Sequence, residues 1–444
     1  MRLFRQLGAR LRNAHPDHHA IAKGMLWVGL FVFVGAIARA SKEIAIAYRY
    51  GTSEEVDAYL FVFNILNWPV VVWLSLLTAV LLPLMASNRT DRAQDIPTFK
   101  AEFLALCLCL GGGLTIAMWF GLPPLINSSW VGLPANTAQM ALQSLTIMAP
   151  ITALGLVSSL YSVWLLIQGR HANTLQESIP PVILAATALW MPASSLEPLL
   201  WGTLAGFVCH LASVSVTNAH AGPRPAPKFS MRSAQWPAFW QGFFVMLLGQ
   251  TFMSLTSLMD QFFAAQLTPG SIATLNYANR LLALLLGLGG TVVSRATLPV
   301  FAHAQARNDF QAKALAIKWA KIIAFVGTLI TIAAWFAAPW MVNLLLERGA
   351  FTPADTIQVF EVLRWGLLQV PFYLSGLVFV SLITSEKKYH ILTAIGLANV
   401  VIKASLNVYL APVYGPRGLM AASSLMMMIS TVLLIATTFK KSSQ

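Results

Sequence analysis

The stretch GAIARASKEIAIAYRYG, residues 35–51, carries Arg39, Lys42 and Glu43 inside an otherwise apolar run. Spaced i, i+3 and i+4, the three share one face of a helix. A charge at the centre of a bilayer costs about 2.5–3.5 kcal/mol even on a lenient scale, so such residues face a bundle interior or a wet cavity. Further charges interrupt later apolar runs: Asp260, Arg280, Glu361, Arg364 and Lys403, with Asp57 near the start of another. Within the spanning segments six basic residues (Arg39, Lys42, Arg280, Arg295, Arg364, Lys403) stand against about four acids. Unpaired cations in a dry bundle are very costly. A water-filled cavity with excess positive charge accommodates them, and its ligand is an anion. Glu361 and Arg364, one turn apart, are expected to pair. Arg295 and Glu177 are expected to snorkel to a membrane surface.

Other candidate chemistry is thin. Cys107, Cys109 and Cys209 all lie in apolar stretches and read as small packing residues, and metal ligation would want more Cys or His at set spacing. CLGGGL, with Gly111 to Gly113, lacks a following Lys-Ser/Thr and is not a phosphate loop. No metal or cofactor is expected; a coupling ion, of unassigned identity, would find its carboxylates at Asp260 and Glu43.

The elements that must position these charges are membrane helices. Of 444 residues, 57% are hydrophobic and 10% charged, against about 25% charged in soluble domains. The mean hydropathy is +0.68. Apolar segments of spanning length fall at about 24–46, 57–85, 102–126, 140–167, 178–195, 198–217, 237–262, 271–302, 316–346, 357–384, 389–411 and 417–439, twelve in all. The first follows Arg2, Arg5, Arg10, Arg12 and Lys23 without a cleavage site and is expected to remain as a helix. With both termini in the cytoplasm, 20 of the 29 basic residues fall in inside loops and helix ends, and Arg49, Arg348 and Arg417 outside. The +13 charge is thus topological, and a nucleic-acid partner is not expected.

The predicted organisation is all-α and polytopic: a basic segment 1–23, a six-helix lobe 24–217, a Pro-rich basic linker 218–236, a second six-helix lobe 237–439 and a tail 440–444. Leu82-Pro83 and Leu298-Pro299 end corresponding helices 216 residues apart, which suggests a parallel repeat. Trp68-Pro69 predicts a kink.

Three stretches resemble the MviN/MurJ family of lipid-linked oligosaccharide flippases. IAYRYGTSEEVDAYLFVFNI is similar to its helix 1–2 junction, with the fold-reversing Gly51 and the Asp57-Ala-aromatic start of helix 2. MDQFFAAQLTPGSIATLNYANRLLALLLGLGGTVVSRATLPVFA is similar to its helix 7–8 region, and LLLERGAFTPADT to its loop after helix 9. The resemblance implies a two-lobed carrier in the bacterial inner membrane that flips an undecaprenyl-pyrophosphate-linked saccharide by alternating access. It implies that Lys42, Glu43, Asp57 and Arg280 stand at family positions, with Lys42 and Glu43 where the family has Arg and Asp. Gly35-Ala36 and Val70-Val71 stand where the family has Ser-Arg and an Arg pair, and Arg39 offers a replacement cation.

The expected function is therefore a flippase, not an enzyme. Its substrate is lipid II or an exopolysaccharide or lipopolysaccharide repeat unit, bound by Arg39, Lys42, Arg280, Glu43, Asp57, Asp260, Arg364 and Lys403. Its partners are membrane lipids and polysaccharide-assembly enzymes. A cation-coupled multidrug antiporter would prefer an acidic cavity. A membrane polymerase or glycosyltransferase would need a large extramembrane loop, and no loop here offers one.

Overall fold

The computed structural model describes residues 16–87, 96–168, 170, 173–192, 195–220, 222, 225–306, 312–386 and 388–439. Of the expected segment 1–23, residues 1–15 lie outside them, as does the expected tail 440–444; residues 16–23 are helical. Among the described residues sixteen α-helices follow in order: α1 (Pro16–Tyr50), α2 (Glu54–Leu76), α3 (Leu82–Ser87), α4 (Ile96–Ile126), α5 (Ala135–Met148), α6 (Ile151–Ile167), α7 (Asn173–Gln176), α8 (Ile179–Trp190), α9 (Glu197–Ala219), α10 (Trp236–Ala265), α11 (Ser271–Ala306), α12 (Ala312–Leu346), α13 (Pro353–Leu367), α14 (Val370–Ser385), α15 (Tyr389–Tyr414) and α16 (Pro416–Phe439).

Among the described residues nine helical stretches are long and apolar enough to cross a membrane, and ten if α5 and α6, bent by 45° at Ala149-Pro150, form one span. Two expected spans fall outside that set. The charged stretch 24–46 is the continuous helix α1, which starts at Pro16. The stretch 178–195 yields only the 12-residue α8, about 18 Å of helix against a hydrocarbon core of about 30 Å. Pro180 and Pro181 belong to its first turn, and Met191 turns extended before Pro192, so prolines bound it at both ends.

At Trp68-Pro69, where a kink is expected, α2 stays helical and runs on through Pro69. The irregularity sits one proline later, in a π-turn over Leu77–Leu81 just before Pro83. Pro83 lacks the N–H that would bond four residues back, and a wider turn re-satisfies the freed carbonyls. The backbone at Leu298-Pro299 stays α-helical, so the two Leu-Pro exits differ.

Helices from Pro16 to Ala219 pack mainly on one another, as do those from Trp236 to Phe439; α2 joins the sets by packing on α10 and α11. One end of the bundle holds the chain reversals near residues 51, 132, 270, 349 and 415, here the corner end. The other holds residues 225–235, here the linker end.

The three stretches that carry the resemblance meet at the corner end. Gly51 has φ 57°, and a Cβ there would lie 2.6 Å from the Ala350 carbonyl oxygen. Gly270 has φ 85°, and a Cβ would lie 2.5 Å from the Thr52 carbonyl oxygen. Only glycine fits both the backbone and the space. The Ala350 N–H donates to Tyr48 O at 2.7 Å, the Thr52 hydroxyl donates to Asp355, and the Tyr277 hydroxyl donates to Gly51 O at 3.0 Å. Asp355 also forms a capping box with Thr352 at the start of α13. Arg49 donates to Leu189 O at 3.2 Å and Met191 O at 2.7 Å, placing a cation on the negative end of α8.

At the linker end, buried Glu102 of α4 gathers the segment before α10. It accepts from the Ser230 hydroxyl, Arg232 N–H (2.9 Å), Ser233 N–H (3.1 Å) and hydroxyl (2.7 Å), and Trp236 Nε1 (2.8 Å). The Trp236 ring stacks on Phe103, centroids 5.6 Å apart. Glu102→Ala strands these donors, at about 1–3 kcal/mol for each one left buried and unpaired. The expected result is a lower melting temperature by tryptophan fluorescence and faster proteolysis within residues 220–235; an unchanged proteolytic pattern would contradict it.

Candidate functional site: a polar cavity with a Lys-Glu-Arg cluster

A cavity of about 510 Å³ opens between α2 on one side and α10, α11, α15 and α16 on the other. Its wall mixes apolar side chains, among them Leu258, Leu282 and Met426, with neutral amides and hydroxyls: Asn64 and Asn67 from α2, Ser254 and Gln261 from α10, Asn276 and Asn279 from α11. The Asn64 amide donates to Asn276 Oδ1 at 3.2 Å, and the Trp68 indole donates to Ser254 Oγ at 2.9 Å, so α2 is tied to both facing helices. Asp260, Arg280 and Lys403 bring charge to the wall.

Arg280 belongs to a three-residue cluster. Glu43 Oε1 lies 2.9 Å from Lys42 Nζ and 3.0 Å from Arg280 Nε. The carboxylate therefore bridges α1 and α11, and the cluster carries one net positive charge. Lys42 and Glu43 are largely covered, with side chains 12% and 15% exposed, whereas Arg280 is 46% exposed. Lys42 Nζ also sits 5.8 Å from the Phe63 ring centroid, a cation–π contact. The Glu43 pair engages Nε of Arg280, and four of the five guanidinium N–H groups remain for an anion in the cavity. Arg39 is exposed one turn before Lys42, outside the cavity wall.

A second charged group lines the same cavity. Lys403, 1% exposed, places Nζ 2.9 Å from Asp260 Oδ1, and Asn407 donates to the same oxygen at 2.9 Å.

The remaining candidates stand apart. Asp57, buried at the start of α2, accepts the main-chain N–H groups of Gly270 (2.6 Å) and Ala273 (2.7 Å) and so caps α11. Arg364 donates from Nε to Trp335 O at 3.1 Å and lies 4.8 Å from the Phe360 ring centroid and 5.5 Å from that of Trp335. Glu361 does not pair with Arg364 as its spacing suggests; its ion partner is Arg417 of α16. The i, i+3 spacing permits a pair, but the Phe360 and Trp335 rings hold the guanidinium elsewhere. The structure thus joins Lys42, Glu43 and Arg280, joins Asp260 and Lys403, and leaves Asp57 and Arg364 at helix junctions.

Charge counting overlooks the amides. Asn64 and Asn67, three apart, and Asn276, Asn279 and Arg280, at i, i+3 and i+4, mark the cavity faces of α2 and α11. Polar spacing within an apolar helix was the available signal.

Against this geometry, the family model described as lipid II flippase MurJ matches residues 46–443. The chain belongs to that family. The match includes Asp57, Asp260, Arg280, Arg364 and Lys403 and begins after Arg39, Lys42 and Glu43. A probable lipid II flippase MurJ of Helicobacter pylori strain J99 is 32% identical over 193 residues, 42% of this chain and 41% of the relative. The chain thus matches less than half the length of that relative. A longer match, to the Synechocystis sp. MurJ protein, is 24% identical over 426 residues, 89% of this chain and 77% of the relative. Among solved structures, a lipid II flippase MurJ in an inward closed conformation has a TM-score of 0.80 at 18% identity, covering 93% of this chain and 87% of that one. An inward-facing multidrug resistance transporter of the MATE family follows at TM-score 0.74 and 14% identity, covering 92% of this chain and 96% of that one. At such identities these two likenesses speak for the MurJ-type fold alone.

Proposed function

We propose that this MurJ-family chain translocates an undecaprenyl-pyrophosphate-linked saccharide, either lipid II or an exopolysaccharide or lipopolysaccharide repeat unit, across the bacterial inner membrane. The observation that carries this reading is Arg280 at the cavity wall, held from behind by Glu43 and Lys42. The cluster's excess charge is positive and its most exposed member is a guanidinium, which pairs with phosphate oxygens in a bidentate geometry. A cationic drug would meet the opposite sign.

The linker end and both termini face the cytoplasm in this reading, because the basic residues concentrate there. The lobes 24–217 and 237–439 alternate access, joined through residues 218–236. Polysaccharide- or peptidoglycan-assembly enzymes deliver the substrate at the cytoplasmic side. The pyrophosphate sits against Arg280 and Lys42, with Arg39 one turn away on the same helix; the amides receive the sugar, and the prenyl chain stays in lipid. The contacts that close the corner end bar exit outward in this conformation. An interior-negative potential then drives the anionic head outward, at about 2.3 kcal/mol per charge per 100 mV.

Reconstitution tests the reading. Vesicles holding the purified chain should transfer fluorescent lipid II or a lipid-linked repeat unit between leaflets and leave a cationic dye in place. Dye export without lipid transfer would replace this function with an antiporter.

A further inference from the structure

We propose that Lys403 is a built-in cation: its ammonium fills an oxygen site of the kind that takes a monovalent metal ion. The junction of α10, α15 and α16 therefore holds together without external Na⁺ or K⁺.

The donor set makes the case. Lys403 Nζ lies 2.9 Å from Asp260 Oδ1 of α10 and donates to Leu419 O at 2.8 Å and to Ser423 Oγ at 2.5 Å, both on α16. A carboxylate, a main-chain carbonyl and a hydroxyl converge on one point from two helices, and the cation comes from a third. All-oxygen sets of this kind suit hard cations. All three ammonium N–H groups are engaged, so none is free for a phosphate in the adjoining cavity.

A second observation points the same way. Asn399, Lys403 and Asn407 follow at i, i+4 and i+8 along one face of α15. Asn407, 0% exposed, gives its amide N–H to Asp260, while its own Oδ1 has no hydrogen-bond partner. An unsatisfied buried amide oxygen is costly, and here it belongs to a residue already bonded to the ammonium's carboxylate. Once the lysine's covalent tether is gone, an amide flip would turn this oxygen toward an ion beside Asp260.

The charge balance fixes what removing the tether does. A buried ion pair that loses one partner leaves an uncompensated charge. Lys403→Met keeps most of the side-chain length and deletes the ammonium. Asp260 then needs a cation, and the oxygens around it provide the site.

The test is thermal unfolding of the purified full-length protein in NaCl, KCl, LiCl or choline chloride at equal ionic strength. The wild type should melt at one temperature in all four. Lys403→Met should melt several degrees lower in choline and recover saturably with a small alkali cation, by binding to the folded state. The neutral pair Asp260→Asn/Lys403→Met should fold and show no such response. Recovery of Lys403→Met only when an alkali cation is present throughout purification gives the same answer. A wild-type protein stabilised by one cation, with Asp260→Asn removing the effect, would overturn the proposal. So would a Lys403→Met variant that ignores every cation, or one lost in every salt.

Discussion

Arg280→Ala is expected to reduce transfer of the lipid-linked saccharide by about 10- to 100-fold, the equivalent of one charge-assisted hydrogen-bonded contact of about 1.5–3 kcal/mol. The fold should survive, because Glu43 keeps Lys42 at 2.9 Å and Arg280 is already 46% exposed. Lys42→Ala takes the cluster from one net positive charge to neutrality and should cost transfer in the same direction. Arg280→Lys retains the charge but loses the planar fork, so it should fall between the wild type and Arg280→Ala. The measurement is the initial rate of leaflet exchange in vesicles, with melting temperature recorded in parallel. Wild-type rates for both alanine variants would remove the cluster from the substrate path.

Locking the corner end should have a comparably large effect. Thr52 follows the Gly51 reversal and Asp355 begins α13, and their side chains are hydrogen-bonded across the two helix sets. Alternating access requires that contact to break once per cycle, along with Ala350 N–H to Tyr48 O at 2.7 Å and Tyr277 hydroxyl to Gly51 O at 3.0 Å. A Thr52→Cys/Asp355→Cys pair, in a background with Cys107, Cys109 and Cys209 replaced by Ala, should lose transfer when bridged by a short reducible bis-thiosulfonate. Reductant should restore it. Either cysteine alone, given the same reagent, should retain activity. Transfer that continues through the bridged protein would mean that the corner end stays shut throughout the cycle.

Much of this was legible in the chain because membrane helices declare themselves through apolar length and positive loop charge. The long runs 102–126, 316–346 and 417–439 appear as α4, α12 and α16. The run 178–195 misled because hydropathy is blind to where prolines end a helix; α8 stops at Trp190. The excess of basic residues pointed to a cavity, and Lys42, Glu43 and Arg280 do meet. Spacing alone did not say which charges pair across helices. Glu361 finds Arg417, 56 positions on, and Lys403 finds Asp260, 143 positions back, through tertiary packing that no local pattern encodes. Glu102 went unremarked because a carboxylate near a helix end reads as a surface residue. Its role appears only when Ser230, Arg232, Ser233 and Trp236 fold back onto it.

The reading stands or falls on an anionic head entering the cavity between α2 and α11. Asn279→Cys, in the same cysteine-replaced background, places a thiol on that wall one residue before Arg280. Its modification by a water-soluble thiosulfonate should slow several-fold when a short-chain prenyl-pyrophosphate saccharide is present, and remain unchanged with the matching prenyl alcohol. Equal rates with and without the pyrophosphate would show that the head group does not occupy this space.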